Sequence, residues 1–128
     1  MTALFDSGNS RLHFAKLDGG RLIEPVNVPY PDSADELPEI IKNVLKGKNP
    51  GKIAACSVTS KWREHLFNAL DGISPGKLVV ARTVYDIGMK VVYDNPEQLG
   101  VDRVLAAYAA HRLFNDSCIV IDAGTAVT

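Results

Sequence analysis

The most constraining feature of this sequence is the order of its apolar patterns. Three short runs lie within residues 2–28, separated by turn signals at Gly8-Asn9 and Gly19-Gly20. Alternating apolar and polar residues bounded by glycine predict strands joined by tight turns. We therefore expect the chain to begin with three antiparallel strands, which excludes an all-helical or an all-parallel architecture.

From residue 37 onward, helical and extended patterns alternate. Apolar residues at helical spacing predict a helix that begins near residue 35, with Pro38 in its first turn, and ends at Gly47. A strand is predicted at 52–58, followed by a helix capped by Ser60, with Trp62 on its inner face. This order predicts an α/β fold, a mixed sheet with helices on its faces.

The remaining patterns predict a strand at 78–81, an irregular segment over 83–99, and a third helix that begins near Val101. We expect this helix to bury Val101, Val104, Leu105 and Tyr108. A last strand is predicted at Cys118–Ile121. It runs into Asp122, and this strand–turn unit resembles the one at the start of the chain.

Composition excludes several functional classes. The net charge is −1 and no basic stripe is visible, which argues against a nucleic-acid partner. No apolar run approaches the ~20 residues that span a bilayer, and Asp6 and Arg11 interrupt any signal peptide, so we expect a cytoplasmic protein without a membrane partner. Cys56 and Cys118 lie in apolar stretches and are expected to be two buried thiols, a disulfide or metal pair being the alternative.

Two motifs place a carboxylate, a glycine and a hydroxyl directly after a predicted strand. They are Asp6-Ser7-Gly8-Asn9-Ser10 and Asp122-Ala123-Gly124-Thr125. Gly8 can adopt a positive φ and expose backbone N–H groups to a phosphate, whereas Asp6 requires a cation or a water between itself and a phosphate. Each motif alone also fits an ordinary turn. As a pair they predict a cation–phosphate clamp in which Asp6 and Asp122 face one cleft.

The third motif is Gly100-Val101-Asp102-Arg103, at a predicted helix start. The helix dipole favours an ionised Asp102, which could accept a proton, and Arg103 could hold a carboxylate bidentately. A capping aspartate beside a solvated arginine is the alternative. Tyr93 precedes this motif and fits either a substrate site or packing under a loop.

Taken together in this order, the motifs resemble those of the type III pantothenate kinases, also described as the Bvg accessory factor family. That family belongs to the superfamily of acetate and sugar kinases, heat-shock 70 proteins and actin, whose members are built from two ribonuclease-H-like halves. The residues that carry the resemblance are 6–10, Tyr93, 96–103 and 122–128. The resemblance implies a ribonuclease-H-like fold and the ATP-dependent phosphorylation of pantothenate to 4'-phosphopantothenate, the first step of coenzyme A biosynthesis.

The resemblance also implies the role of each matching residue. Asp102 would be the catalytic base. The pantothenate-binding residues would be Tyr93, Gly100, Val101, Asp102 and Arg103. The ATP-binding residues would be Asp6, Ser7, Gly8, Asn9, Ser10, Arg11, Leu12, His13 and Thr125. Asp122 would bind a monovalent cation, potassium or ammonium, and Asp6 would meet a cation through phosphate or water, with Mg²⁺ arriving on ATP.

Members of the family are longer than this chain. The resemblance implies a ribonuclease-H-like domain at 1–115, the first strand and turn of a second domain at 116–128, and a homodimer for the complete enzyme. On this basis we expect the chain alone to be inactive or nearly so, and residues 117–128 to self-associate or to be disordered.

Three hypotheses follow for function. The first is an enzyme, the N-terminal half of a pantothenate kinase that binds ATP and pantothenate. The second is a non-catalytic binding or regulatory protein of the same fold. The third is another kinase of the superfamily, such as a sugar kinase, which the Gly100–Arg103 motif together with Tyr93 disfavours.

Overall fold

The computed structural model describes residues 1–124 and residue 127. Its contacts separate the chain into two compact units, residues 1–80 and residues 81–128. Each unit is described by itself below. The predicted domain boundary between residues 115 and 116 stays a prediction.

The first unit is built on a five-stranded mixed sheet. Its strands are β1 (Thr2–Ser7), β2 (Arg11–Asp18), β3 (Arg21–Pro29), β4 (Lys52–Ser57) and β5 (Leu78–Ala81), in the order β3-β2-β1-β4-β5. β1 pairs antiparallel with β2, β2 pairs antiparallel with β3, and β1 pairs parallel with β4. The predicted antiparallel start and the mixed α/β sheet are confirmed.

The turn between β2 and β3 follows directly from its sequence. Gly19 and Gly20 both adopt positive φ, 54° and 79°, between the paired residues Asp18 and Arg21. A two-residue turn with two positive φ angles matches the twist of the flanking strands, and glycine adopts it without a Cβ clash.

Two helices cover one face of the sheet, α1 (Leu37–Leu45) after a 3-10 turn at Ala34–Glu36, and α2 (Ser60–Ile73). They pack on alternate residues of the strands, and the core comprises mainly Ala3, Phe5, Leu12, Phe14, Leu37, Ile41, Leu45, Ile53, Trp62, Leu66, Phe67 and Leu70. Trp62 is a core residue, as predicted. The N-cap of α2 is Thr59 rather than Ser60, because the Thr59 hydroxyl accepts the N–H of Trp62 at 3.4 Å. The chain leaves β4 with Thr59 extended, and Ser60 is already helical.

The second unit contains 3-10 turns at Val84–Ile87 and Pro96–Gln98 and the helix α3 (Val101–Phe114). Val101 and Val104 are buried as predicted, but Leu105 is half-buried and Tyr108 is exposed. The predicted strand Cys118–Ile121 is wrong: within 116–124 the structure has only an isolated bridge from Ala123 to Val127. A strand needs a neighbour to pair with, and these residues have none in the described part of the chain.

Cysteine burial is correctly predicted at one position only. Cys56 is buried on β4, whereas Cys118 is exposed, and neither forms a disulfide within the described residues. None of the described helices has the length and apolar character required to cross a bilayer.

Candidate functional site

The loop between β1 and β2 is the predicted phosphate-binding motif, and it projects its polar residues outward. Asn9 and Ser10 are exposed, and the Gly8 N–H donates to the carbonyl of Arg11 at 3.0 Å. Gly8 does not use a positive φ, contrary to the expectation. Space is tight here, because a Cβ at this position would lie 3.3 Å from His13 Nε2 and 3.4 Å from the Arg11 carbonyl, so a larger residue would require the His13 ring to move slightly.

Two of the residues predicted to bind ATP, Ser7 and Leu12, are buried in the core. Ser7 is fully buried and its Oγ lies 2.6 Å from the hydroxyl of Tyr30. Tyr30 donates its own proton to the carbonyl of Gly8 at 2.7 Å, so Ser7 is the donor to Tyr30. Leu12 is also buried. Any contact of Ser7 or Leu12 with ATP would therefore be made by their backbone atoms.

Tyr30 links the loop to the first turn of α2. Its ring stacks on Trp62 with a centroid separation of 4.8 Å and an interplanar angle of 1°. Burial raises the pKa of the Tyr30 phenol above its ordinary value, against the opposing hydrogen bonds from Ser7 and Thr59, and the charge of Asp6 adds to the rise. Tyr30 lies 22 residues from Gly8 and belongs to none of the sequence motifs, so its supporting role was not predicted.

Asp6 and His13 lie on the sheet face opposite the α1–α2 core. They are directly paired across β1 and β2, and each has a partner on the next strand outward. The Cys56 thiol on β4 donates to Asp6 Oδ1 at 3.2 Å, and His13 Nδ1 lies 2.7 Å from Asn27 Oδ1 on β3. We call these four residues, Cys56, Asp6, His13 and Asn27, the polar row.

In the second unit, the predicted catalytic motif forms the N-terminus of α3. Gly100 is the N-cap with φ −60° and ψ 134°, and Val101 is buried. Asp102 lies in the first turn, half-buried, and its Oδ1 accepts the N–H of Arg103 at 2.9 Å. The Arg103 side chain is exposed, and Tyr93 is 53% exposed. Asp102, Arg103 and Tyr93 are thus accessible, whereas Val101 is a packing residue.

A cavity of about 390 Å³ lies between α3 and the segment that follows it. It brings together two predicted site residues, Arg103 and Asp122. His111 also lines it, two helical turns after Arg103, together with Asp116 and Cys118. His111 was not predicted as a site residue, although its i, i+8 spacing from Arg103 places both on one helix face.

The cavity lining carries both basic and acidic side chains, Arg103 and His111 together with Asp116 and Asp122. Asp116 and Asp122 are exposed carboxylates, and carboxylate oxygens are the ligands that hard cations prefer. Within the described residues no cluster of three or more potential metal ligands occurs. Thr125, the predicted ATP contact, lies outside the described residues. Asp6 and Asp122 belong to different units, so the prediction that they face one cleft stays a prediction.

A mixed sheet that begins with an antiparallel meander and carries helices defines an α/β protein, with a glycine loop after β1 and an Asp-Arg pair at the start of a helix. The family model of the type III pantothenate kinases matches residues 3–128. The chain therefore belongs to the type III pantothenate kinase family.

Curated relatives agree with this assignment. A type III pantothenate kinase of Paramagnetospirillum magneticum is 32% identical over 100% of this chain and 52% of its own length. One from Thermobifida fusca is 30% identical over 100% of this chain and 53% of its own length, and one from Agathobacter rectalis is 27% identical over 100% and 52%. The chain spans about half the length of the curated relatives it matches.

Proposed function

We propose that this chain supplies the N-terminal half of a kinase that transfers the γ-phosphate of ATP to the primary hydroxyl of pantothenate. The observation that carries the proposal is the start of α3, where Asp102 and Arg103 are both accessible at a helix N-terminus. Membership of the type III pantothenate kinase family supports the choice of substrate.

Asp102 is assigned the role of general base. Its carboxylate takes the hydroxyl proton of pantothenate while the hydroxyl oxygen forms a bond to the γ-phosphorus and ADP leaves with the electrons of the broken P–O bond. The N–H of Arg103 holds only Oδ1 of Asp102, at 2.9 Å. Oδ2 therefore remains available as a proton acceptor.

Arg103 is assigned to the carboxylate of pantothenate. Its guanidinium is exposed at the wall of the 390 Å³ cavity, and a planar guanidinium can bind a carboxylate with two parallel hydrogen bonds. Tyr93 is assigned to the same substrate on the basis of the family resemblance.

The loop from Gly8 to Ser10 is assigned to the phosphates of ATP. Asn9 and Ser10 present exposed neutral donors, and the missing Cβ of Gly8 keeps space open beside His13. When bound, Mg²⁺ and a monovalent cation would neutralise the phosphate charge, and Asp6 and Asp122 are the carboxylates assigned to hold them. Phosphoryl transfer depends mainly on such positioning and charge neutralisation, so a chain with half of the binding walls should be a poor catalyst alone.

The test joins this chain to the remaining length of the Paramagnetospirillum magneticum relative. The fusion is assayed for conversion of labelled pantothenate to 4'-phosphopantothenate with MgATP, and the intact relative serves as positive control. Glucose and N-acetylglucosamine in place of pantothenate test for a sugar kinase. We expect turnover with pantothenate and none with either sugar. A folded fusion that binds MgATP but phosphorylates a sugar, or nothing, would refute the assignment.

A further inference from the structure

The polar row crosses four adjacent strands in register. Asp6 pairs with Cys56 on one side and with His13 on the other, and His13 pairs with Asn27. The two inner residues belong to the predicted ATP motif, whereas Asn27 and Cys56 carry no role in the proposed function. Both outer residues are hydrogen-bonded to an inner one, at 2.7 Å and 3.2 Å.

The contact with Asn27 determines which nitrogen of His13 carries the proton. The Oδ1 atom of an asparagine can only accept, so Nδ1 of His13 is the donor, and in the neutral imidazole Nε2 then keeps a lone pair. Nε2 lies beside Gly8, within 3.3 Å of the position a Cβ would occupy there. The lone pair is therefore presented at the phosphate loop.

The contact with Cys56 orients the other inner residue. The thiol donates a hydrogen bond to Asp6 Oδ1, which directs this carboxylate oxygen toward β4, while Asp6 itself lies directly opposite His13 on β2. The inner pair thus presents acceptor atoms, the carboxylate of Asp6 and Nε2 of His13. Two neighbouring acceptors repel a bare phosphate oxygen but match the hydrogens of water molecules bound to a cation.

We propose that Asn27 and Cys56 are positioning residues for the nucleotide site, and that they orient His13 and Asp6 to accept hydrogen bonds from water bound to the Mg²⁺ that accompanies ATP. The proposal rests on the ATP site of the proposed function. It does not depend on the identity of the phosphate acceptor.

The first experiment measures the tautomer of His13 in the 128-residue chain. Long-range ¹H–¹⁵N spectra at about pH 8.5, where histidine is ordinarily neutral, distinguish Nδ1–H from Nε2–H. His65 and His111 are internal references. We expect His13 as Nδ1–H in the unaltered chain and in Asn27→Asp, which keeps an acceptor oxygen, but not in Asn27→Ala. An Nε2–H tautomer in the unaltered chain would overturn the proposal.

The second experiment titrates the chain with ATP in the presence and absence of Mg²⁺. Asn27→Ala and Cys56→Ala should each weaken MgATP binding by about five-fold, the effect of losing one hydrogen bond, and leave metal-free ATP binding unchanged. Asn27→Asp and Cys56→Ser, which keep the acceptor and the donor, should restore most of the affinity. Asn68→Ala, an exposed amide on α2, is the matched control.

Three results would contradict the proposal: no binding of MgATP by the unaltered chain, equal losses with and without Mg²⁺, or MgATP binding unaffected in both alanine variants. Failure of the proposed function has a different signature. In that case the chain binds MgATP with the same dependence on Asn27 and Cys56, but the fusion transfers no phosphate to pantothenate.

Discussion

The ammonium group of Lys16 is fully buried and lies 2.6 Å from Oε2 of Glu24. The pair sits where β2 and β3 shift register between Phe14 and Lys16, and Glu24 adopts a positive φ of 51°. Lys46, at the end of α1, lies 3.1 Å from the same oxygen. The hydrogen bond from Lys16, and then that from Lys46, lower the pKa of Glu24 from 4.5 to about 2.

Glu24→Gln should destabilise the protein at neutral pH, because it leaves the buried ammonium of Lys16 without a counter-charge. The depressed pKa means that the ionised carboxylate stabilises the fold above about pH 4.5, and that this contribution is lost as the pH falls toward 2. Urea unfolding over this range should therefore show a shallower acid loss in Glu24→Gln than in the unaltered chain.

Lys16→Met is the informative comparison for this ion pair. It removes the buried charge and keeps an apolar side chain of similar length, so the free energy of unfolding should stay level or rise. A destabilisation as large as that of Glu24→Gln would show that the ion pair itself stabilises the bulge.

Tyr30→Phe should cost about 1–2 kcal/mol of unfolding free energy, since it removes the hydrogen bonds to Ser7 and to the Gly8 carbonyl but keeps the stacking on Trp62. The raised pKa of Tyr30 means that the neutral phenol stabilises the fold up to about pH 10, and that this contribution is lost at higher pH. Urea unfolding near pH 11 should show a smaller alkaline loss in the variant. An identical pH dependence of the unfolding free energy in Tyr30→Phe and in the unaltered chain would contradict the burial of the Tyr30 phenol.

Gly8→Ala and Gly20→Ala place the same methyl group in two hairpin turns with different demands. At Gly20, φ is 79° and the space is open, so we expect a loss of about 1 kcal/mol in stability and unchanged MgATP binding. At Gly8 the methyl group meets His13 Nε2 at 3.3 Å, so MgATP affinity should fall about ten-fold. Isothermal titration and urea unfolding separate the two effects.

Asp102→Asn in the fusion enzyme should lower kcat by about 10²–10⁴ while the KM for pantothenate changes little, because the amide keeps the shape but cannot take the proton. Arg103→Lys should instead raise the KM, since an ammonium cannot form the bidentate contact. Steady-state kinetics at saturating MgATP provide both values. Normal turnover by Asp102→Asn would exclude this residue as the base.

Local sequence was sufficient for the elements whose signals are local. The glycine pair at 19–20 specified the tight turn, and the apolar spacing of Leu37, Ile41 and Leu45 specified the buried face of α1. The start of α3 at Val101 followed from Gly100 and the apolar period after it. In each case the deciding interactions lie within a few residues along the chain.

Two predictions were wrong because the feature depends on the path of the chain or on a distant pairing partner. Thr59 and Ser60 are equally good caps by residue type, and the exit of the chain from β4 selects Thr59. The run Cys118–Ile121 has the composition of a strand, but composition supplies no pairing partner, and the described structure leaves it unpaired.

The sequence by itself determined the family, the order of strands and helices as far as α3, and the residue types at the phosphate loop and at the helix start. Only the tertiary structure decided which residues support them: Tyr30 beneath Gly8, Asn27 beside His13, Cys56 beside Asp6 and Lys16 against Glu24. Strand register and a β-bulge create these contacts. Register is set by the packing of a whole sheet face, which no short stretch of sequence encodes.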